Sequence, residues 1–114
     1  QRLIGSVGKG LASRMVLSGE SIDAERAQQA GLVSDIHPAN LSDEYALKLA
    51  ATIASRSPLA LRAAKQSLRL AHEVGLQAGL VQERQLFTLL SGTEDRREGV
   101  SAFLEKRTPE FKGR

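Results

Sequence analysis

Apolar residues recur at intervals of three or four along almost the whole chain, which is the spacing of one face of an α-helix. Only LVSDIHP, residues 32–38, favours an extended conformation, and Pro38 ends it because the residue before a proline resists helix. One strand cannot form a sheet. The pattern therefore predicts an all-α chain with short connections.

Two short helices are predicted first. The earlier one covers residues 9–18 and ends at Gly19, and the later one, within SIDAERAQQAG, has Asp23 as its N-cap and Gly31 just past its end. The expected apolar face of the earlier helix consists of Leu11, Met15 and Val16.

Four more helices are predicted after residue 41. Ser42 is expected to cap the first, with acidic residues in its first turn, and Ser57-Pro58 separates it from the second. Gly75 ends the second, the third runs to the SGT turn, and Thr93 caps the fourth. The tail TPEFKGR is expected to be irregular. The expected apolar faces, in chain order, are Tyr45, Ala46, Leu49, Ala50 and Ile53; Leu61, Ala64, Leu68 and Ala71; Leu76, Leu80, Phe87 and Leu90; and Val100, Phe103 and Leu104.

Composition narrows the classes of function. The chain lacks cysteine, and His37 and His72 are too far apart in sequence for a usual zinc spacing, so no metal site is predicted. The net charge of +3 comes from interleaved signs, which is typical of solvated helix faces and argues against a nucleic-acid partner. With no apolar run long enough to span a bilayer and no signal peptide, we expect a cytoplasmic protein without a membrane partner.

The stretch GSVGKGLAS, residues 5–13, superficially suggests a phosphate-binding loop. That motif requires a glycine where Leu3 stands and a serine or threonine where Gly10 stands, and it follows a buried strand. The sequence instead predicts two short helices that meet at a corner, at which Gly8 adopts a conformation that other residues resist.

The order and spacing of several segments make the chain resemble the C-terminal part of the enoyl-CoA hydratase/isomerase (crotonase) superfamily. The resemblance covers residues 1–114 and is strongest at AGLV (30–33), SPLAL (57–61) and TEDRREGVSAFLEKR (93–107). It implies that the chain is the C-terminal helical domain of a longer protein, whose N-terminal half would be a spiral α/β core.

The resemblance also implies the chemistry. Family hydratases add water across the 2,3 double bond of trans-2-enoyl-CoA thioesters with two glutamates and two backbone N–H groups that hold the thioester oxygen. All of these groups would lie upstream of Gln1, so no catalytic residue is assigned, no cofactor is expected, and these residues alone should be inactive. The acids Glu20, Asp23, Glu25, Glu94, Asp95 and Glu98 are interpreted as surface residues near helix starts.

Ligand contacts can be transferred from the resemblance. Phe103 and Lys106 match a family F-x-x-K pair that lies near the adenine and phosphates of CoA in a neighbouring subunit, and their i, i+3 spacing predicts one shared helix face. Phe87 matches a position that borders the acyl-chain pocket. The alternatives are a core Phe103, a solvated Lys106 and a Phe87 that serves helix packing alone.

The same resemblance implies an acyl-CoA substrate and a homo-oligomer, either a trimer or a hexamer, in which these helices form contacts. The leading hypothesis is a part of an enoyl-CoA hydratase. An enoyl-CoA isomerase, a dehalogenase or a CoA-thioester hydrolase of the family would share this region. A non-catalytic helical oligomerisation module remains an alternative from another class, and RNA binding, known for one branch of the family, is disfavoured by the mixed-sign surface.

Overall fold

The computed structural model describes all 114 residues and contains six helices and no strand. The chain divides into two units, residues 1–46 and 47–114, and α3 contributes to both. The predicted all-α fold is therefore confirmed. The helices are α1 (Arg2–Ser18), α2 (Ala24–Gln29), α3 (Ser42–Ala54), α4 (Pro58–Leu70), α5 (Leu76–Ser91) and α6 (Glu94–Glu105).

Three predicted helix starts are confirmed by their side-chain caps. Asp23, Ser57 and Thr93 each accept a hydrogen bond from a backbone N–H in the first turn of the helix that follows, at 2.7, 3.4 and 3.2 Å. Such bonds satisfy N–H groups that have no partner inside the helix. The donors are, in the same order, Arg26, Ala60 and Arg96.

Glycine breaks or ends the helices of the first unit. Gly8, with φ 78° and ψ 162°, interrupts α1, so the predicted corner is confirmed. Gly31 follows α2 with φ 77°, and its N–H and that of Leu32 donate to the carbonyls of Gln28 and Ala27. These two bonds satisfy carbonyls at the end of the helix.

The predicted cap of α3 was wrong. Ser42 is the first residue of α3 rather than its cap, and the carbonyl of Leu41 accepts the first helical bond, from Tyr45 N–H at 3.1 Å. Residues 32–38 form neither helix nor strand, which agrees with the prediction of a single extended segment that has no partner for a sheet.

The apolar core of the chain is small. Its buried hydrophobic residues are Ala12, Ala27 and Ala102, and no large side chain is fully buried. The predicted stripe of α3 is solvent-exposed throughout, whereas α4 and α5 pack against each other. The spacing of alanine and leucine thus predicted the helices well. It overstated, however, how much of each apolar face is buried within these 114 residues.

The predicted buried face of α6 was wrong. Val100, Phe103 and Leu104 are exposed by 51%, 82% and 73%. The face of α6 that turns inward instead carries Asp95, Gly99 and Ala102, which recur at helical spacing. The tail approaches this face so closely that a Cβ on Gly99 would lie 3.5 Å from the ring of Phe111.

None of the six helices combines the length and the apolar composition that crossing a bilayer requires.

Candidate functional site

The second unit contains a groove bordered by α4, α5, α6 and the C-terminal tail. Its volume is about 390 Å³, within the range of about 300–1,000 Å³ that is typical of small-molecule sites. Its walls combine aromatic and aliphatic side chains with a few polar groups. The lining residues are Arg56, Ser57, Ala60, Phe87, Leu90, Ser91, Thr93, Asp95, Arg96, Gly99, Pro109 and Phe111.

A buried carboxylate fixes the tail that forms one wall of this groove. Asp95 is only 3% exposed, and its oxygens accept hydrogen bonds from Ser57 Oγ at 2.6 Å, from Lys112 N–H at 2.7 Å and from Gly113 N–H at 3.0 Å. Its own N–H donates to the carbonyl of Arg114 at 3.0 Å. We call this network the Asp95 clamp. It joins the start of α4, the start of α6 and the tail.

The interpretation of Asp95 as a surface acid was therefore wrong. Its donors lie 17 to 38 residues away in sequence, so the local pattern of a helix start concealed them. The Ser57 hydroxyl, followed by the backbone N–H groups of Lys112, Gly113 and Arg114, lowers the pKa of Asp95 although burial opposes the shift. A carboxylate that already accepts several bonds is a weak proton acceptor, so Asp95 is suited to hold the tail rather than to act as a general base.

A second acidic residue of α6 also holds the tail. Glu98 forms a two-pronged pair with Arg107, at 2.5 and 3.0 Å, and accepts the N–H of Glu110 at 2.8 Å. The Arg107 guanidinium, then the Glu110 N–H, lower the pKa of Glu98 to about 2. Arg107 also donates to Glu105 at 2.6 Å, and these two partners raise its pKa. The tail is irregular, as predicted, but it is held by ionic hydrogen bonds.

Phe87 lies at the junction of two grooves. It lines the groove described above, and it also lines a neighbouring one between α4 and α5 together with Ala64, Leu68 and Leu86. Its side chain is 70% exposed, so it is not used up by packing between these helices. This position is compatible with contact to an apolar ligand.

Phe103 lies on α6 and Lys106 follows the end of this helix, and neither residue lines the groove. Phe103 is 82% exposed. Lys106 stands just past the helix in a left-handed conformation, φ 56° and ψ 36°, and its N–H donates to the carbonyl of Phe103 at 3.3 Å. The expectation that Phe103 and Lys106 share one helix face was wrong, because Lys106 lies beyond the last residue of α6. The structure thus does not bring Phe87 together with Phe103 and Lys106.

No group of three histidine, cysteine or acidic side chains is placed to hold a metal ion. His37 instead stacks on the ring of Tyr45, with centroids 3.8 Å apart and planes 5° from parallel. This contact belongs to the first unit.

Comparison with known proteins places the chain. The sequence profile described as "Enoyl-CoA hydratase/isomerase" matches residues 1–114. The chain belongs to this family. The structure superposes on the crystal structure of an enoyl-CoA hydratase from Bacillus anthracis with a TM-score of 0.96 and 40% sequence identity, over 100% of this chain and 44% of that one.

Curated relatives point in the same direction. The chain is 73% identical over 114 residues to 2,3-dehydroadipyl-CoA hydratase from Escherichia coli K12, which covers 100% of this chain and 45% of that protein. It is 46% identical over 112 residues to a mitochondrial enoyl-CoA hydratase from Pongo abelii, which covers 98% of this chain and 39% of that protein. The chain thus spans less than half the length of these members of the enoyl-CoA hydratase/isomerase family.

Proposed function

We propose that these residues are the C-terminal helical domain of an enoyl-CoA hydratase that adds water across the 2,3 double bond of a trans-2-enoyl-CoA thioester. The observation that carries this proposal is the 73% identity to a hydratase over all 114 residues. The 0.96 TM-score to a second hydratase supports it.

In this proposal the proton-transferring groups lie outside these residues. Hydration of the thioester needs two carboxylates that share the protons of one water and two N–H donors at the oxygen on which negative charge develops. The only carboxylate that lines the groove is Asp95, and its oxygens are occupied by the tail and by Ser57. For this reason we propose that the 114 residues alone do not catalyse.

The contribution of this domain would be ligand contact. The apolar groove beside Phe87 would border the acyl chain, while Phe103 and Lys106 would contact the adenine and phosphates of CoA. The exposure of both phenylalanines supports these roles, since neither ring is consumed by internal packing. Lys106 has a left-handed backbone conformation, in which glycine is the usual residue and a lysine costs roughly 1 kcal/mol more. The presence of a lysine despite this cost supports a role for its ammonium group.

We also propose that the helices bury their apolar faces against further protein, in a trimer or a hexamer. The buried hydrophobic residues of the chain are only Ala12, Ala27 and Ala102. The exposed large hydrophobic residues include Tyr45, Leu49 and Ile53 of the α3 stripe, together with Val100, Phe103 and Leu104. A cytoplasmic location stays a prediction from the sequence.

The test is a hydration assay on the full-length enzyme that contains these residues and, separately, on the 114 residues alone. We expect the full-length enzyme to consume crotonyl-CoA and 2,3-dehydroadipyl-CoA, with loss of the enoyl absorbance, and the short chain to give only the buffer rate. Double-bond migration or thioester cleavage without hydration would assign the enzyme to another branch of the family. Turnover by the short chain would contradict our placement of the catalytic groups.

A further inference from the structure

The groove beside Phe87 carries two positive charges without acidic partners. Arg56 and Arg96 both line it, and neither forms an ion pair, whereas Arg14, Arg107 and Arg114 each pair with a glutamate. The only side-chain bond of Arg96 is a long one, from Nη1 to the carbonyl of Ser91 at 3.4 Å. The guanidinium groups therefore remain available to an anionic ligand.

The position of Arg96 within α6 departs from the local rule for a helix start. Thr93 caps the helix, and a glutamate three residues after such a cap would complete a reciprocal pair of bonds and favour the helix dipole. Arg96 occupies that place instead and brings a positive charge to the positive end of the helix. The long bond to the carbonyl of Ser91 is the only contact that offsets this cost, and a residue that breaks a local preference with so little compensation is often kept for function.

We propose that Arg96, assisted by Arg56, binds a carboxylate at the far end of the acyl chain and so determines specificity for CoA thioesters of dicarboxylic acids. This inference rests on the proposed function, since it places the acyl chain in the groove. Phe87, Leu90 and Phe111 provide apolar walls for the methylene groups of such a chain. The guanidinium of arginine matches the two oxygens of a carboxylate in geometry and charge.

Asp95 also borders the groove and would repel a second carboxylate. Its oxygens, however, face Ser57 and the N–H groups of Lys112 and Gly113, which stabilise its negative charge within the clamp. The two arginines outnumber it, so the groove retains a positive balance. The expected occupant is therefore apolar along its length and negatively charged at its end, as in a 2,3-dehydroadipyl group.

The chain offers a matched control in the adjacent residue. Arg97 lies on the same helix turn and donates from Nη2 to the carbonyl of Gly92 at 3.4 Å, as Arg96 does to Ser91, but it does not line the groove. Arg97→Gln thus removes the same charge from the same helix end. Arg96→Lys retains the charge and loses the two-pronged geometry.

The experiment compares the affinity of the full-length enzyme for adipyl-CoA and for hexanoyl-CoA, which have six-carbon chains that differ at the terminal carboxylate, by isothermal titration. We expect Arg96→Gln to weaken adipyl-CoA binding about 10- to 100-fold, as expected for the loss of a charged hydrogen bond, and to change hexanoyl-CoA binding less than about twofold. Arg56→Gln should give a smaller loss of the same selectivity, Arg96→Lys an intermediate one, and Arg97→Gln none.

Equal losses for both ligands, no loss for either, or the same selectivity change with Arg97→Gln would overturn the proposal. A thermal melt of each variant identifies a global folding defect, and Arg56→Gln then decides the question independently. Hydration of crotonyl-CoA by the wild-type enzyme tests the proposed function separately. Hydration without an Arg96-dependent preference for adipyl-CoA refutes only this inference, and an Arg96-dependent preference without hydration refutes only the hydratase assignment.

Discussion

Helices α3 and α6 differ in how their positions are fixed. α6 has a buried acid and a buried alanine on its inner face, and N–H groups of the tail attach it to this helix by donating hydrogen bonds to Asp95 and Glu98. α3 has a longer apolar stripe but buries none of its residues. Within one short chain, polar bonds thus order one helix and its tail, while the more hydrophobic helix is left with an uncovered face. An apolar stripe indicates that a face will be covered, but not by which part of a protein.

The largest effect is expected from a charge placed on the stripe of α3. Leu49 is 56% exposed in this chain, so Leu49→Lys should scarcely change the stability of the 114 residues. If the stripe is covered in the full-length enzyme, the same change should lower the free energy of unfolding by about 3 kcal/mol or more, because it buries an unpaired charge in place of a leucine.

Urea unfolding of both proteins measures this difference. Ala51→Lys is the matched control, since a residue two positions on points about 200° away around the helix. Equal, small effects of Leu49→Lys in both proteins would show that the stripe stays exposed and would remove the contrast between the two helices.

The second largest effect is expected from removal of the Asp95 clamp. Asp95→Ala removes the acceptor for Ser57, Lys112 and Gly113, and we expect the Tm to fall by at least about 5 °C. Amide hydrogen exchange at Lys112 and Gly113 should accelerate most, because these N–H groups lose their partner.

Glu94→Ala is the control for the clamp. Its carboxylate is on the surface and pairs with Arg114 at 2.9 Å, and such exposed pairs contribute little to stability. Unchanged exchange at Lys112 and Gly113 in Asp95→Ala would mean that the tail is held by the packing of Phe111 alone.

A smaller effect is expected from acid. The pKa of Glu98 is about 2 in the folded protein, below its ordinary value of 4.5, so its stabilising contribution is complete above about pH 4.5 and is lost as the pH falls towards 2. The lowered pKa of Asp95 acts in the same direction.

Urea midpoints at a series of pH values test this dependence. Glu98→Gln should reduce the slope between pH 4.5 and 2 and leave the part due to Asp95, whereas Glu83→Gln, which removes an acid without an ion pair, should leave the slope as it is. A slope that survives Glu98→Gln in full would assign the acid sensitivity to other carboxylates.

The smallest effect is expected at the end of α6. Lys106→Gly should stabilise the chain by roughly 1 kcal/mol, because glycine adopts a positive φ without steric cost, while Lys106→Ala should not. In the full-length enzyme both substitutions should raise the KM for CoA thioesters with little change in kcat, since both remove the ammonium group. An unchanged KM in both variants, with Lys65→Ala as a control for charge, would contradict the CoA contact.

The sequence predicted those features that depend on neighbouring residues. Asp23 and Thr93 cap their helices because a short polar side chain reaches N–H groups three residues away, and Gly19 ends α1 through its own backbone freedom. The family resemblance was likewise readable, because it rests on the order of local motifs.

Features that depend on distant partners were not predicted. The partners of Asp95 come from α4 and from the tail, so its burial could not be read from the residues around it. The sequence prediction placed Phe103, and not Ala102, on the inward face of α6 for the same reason. Hydrophobicity indicates which residues favour burial, but it does not indicate on which face of the helix the tail packs. Arg96 differs in this respect, because it stands three residues after the cap Thr93, where a capping pair would have a glutamate, and this departure is visible in the sequence itself.

Substitution of Gly8, at the corner of α1, is restricted by the handedness of its backbone conformation and not by a lack of space for a side chain. A Cβ at this position would have no other atom within 4 Å. L-amino acids, however, almost never adopt a φ of 78° together with a ψ of 162°. At these angles a D-alanine would adopt the mirror image of a common extended conformation. Chemical synthesis with that single inverted centre should therefore retain the bend, whereas every genetically encoded replacement would strain it.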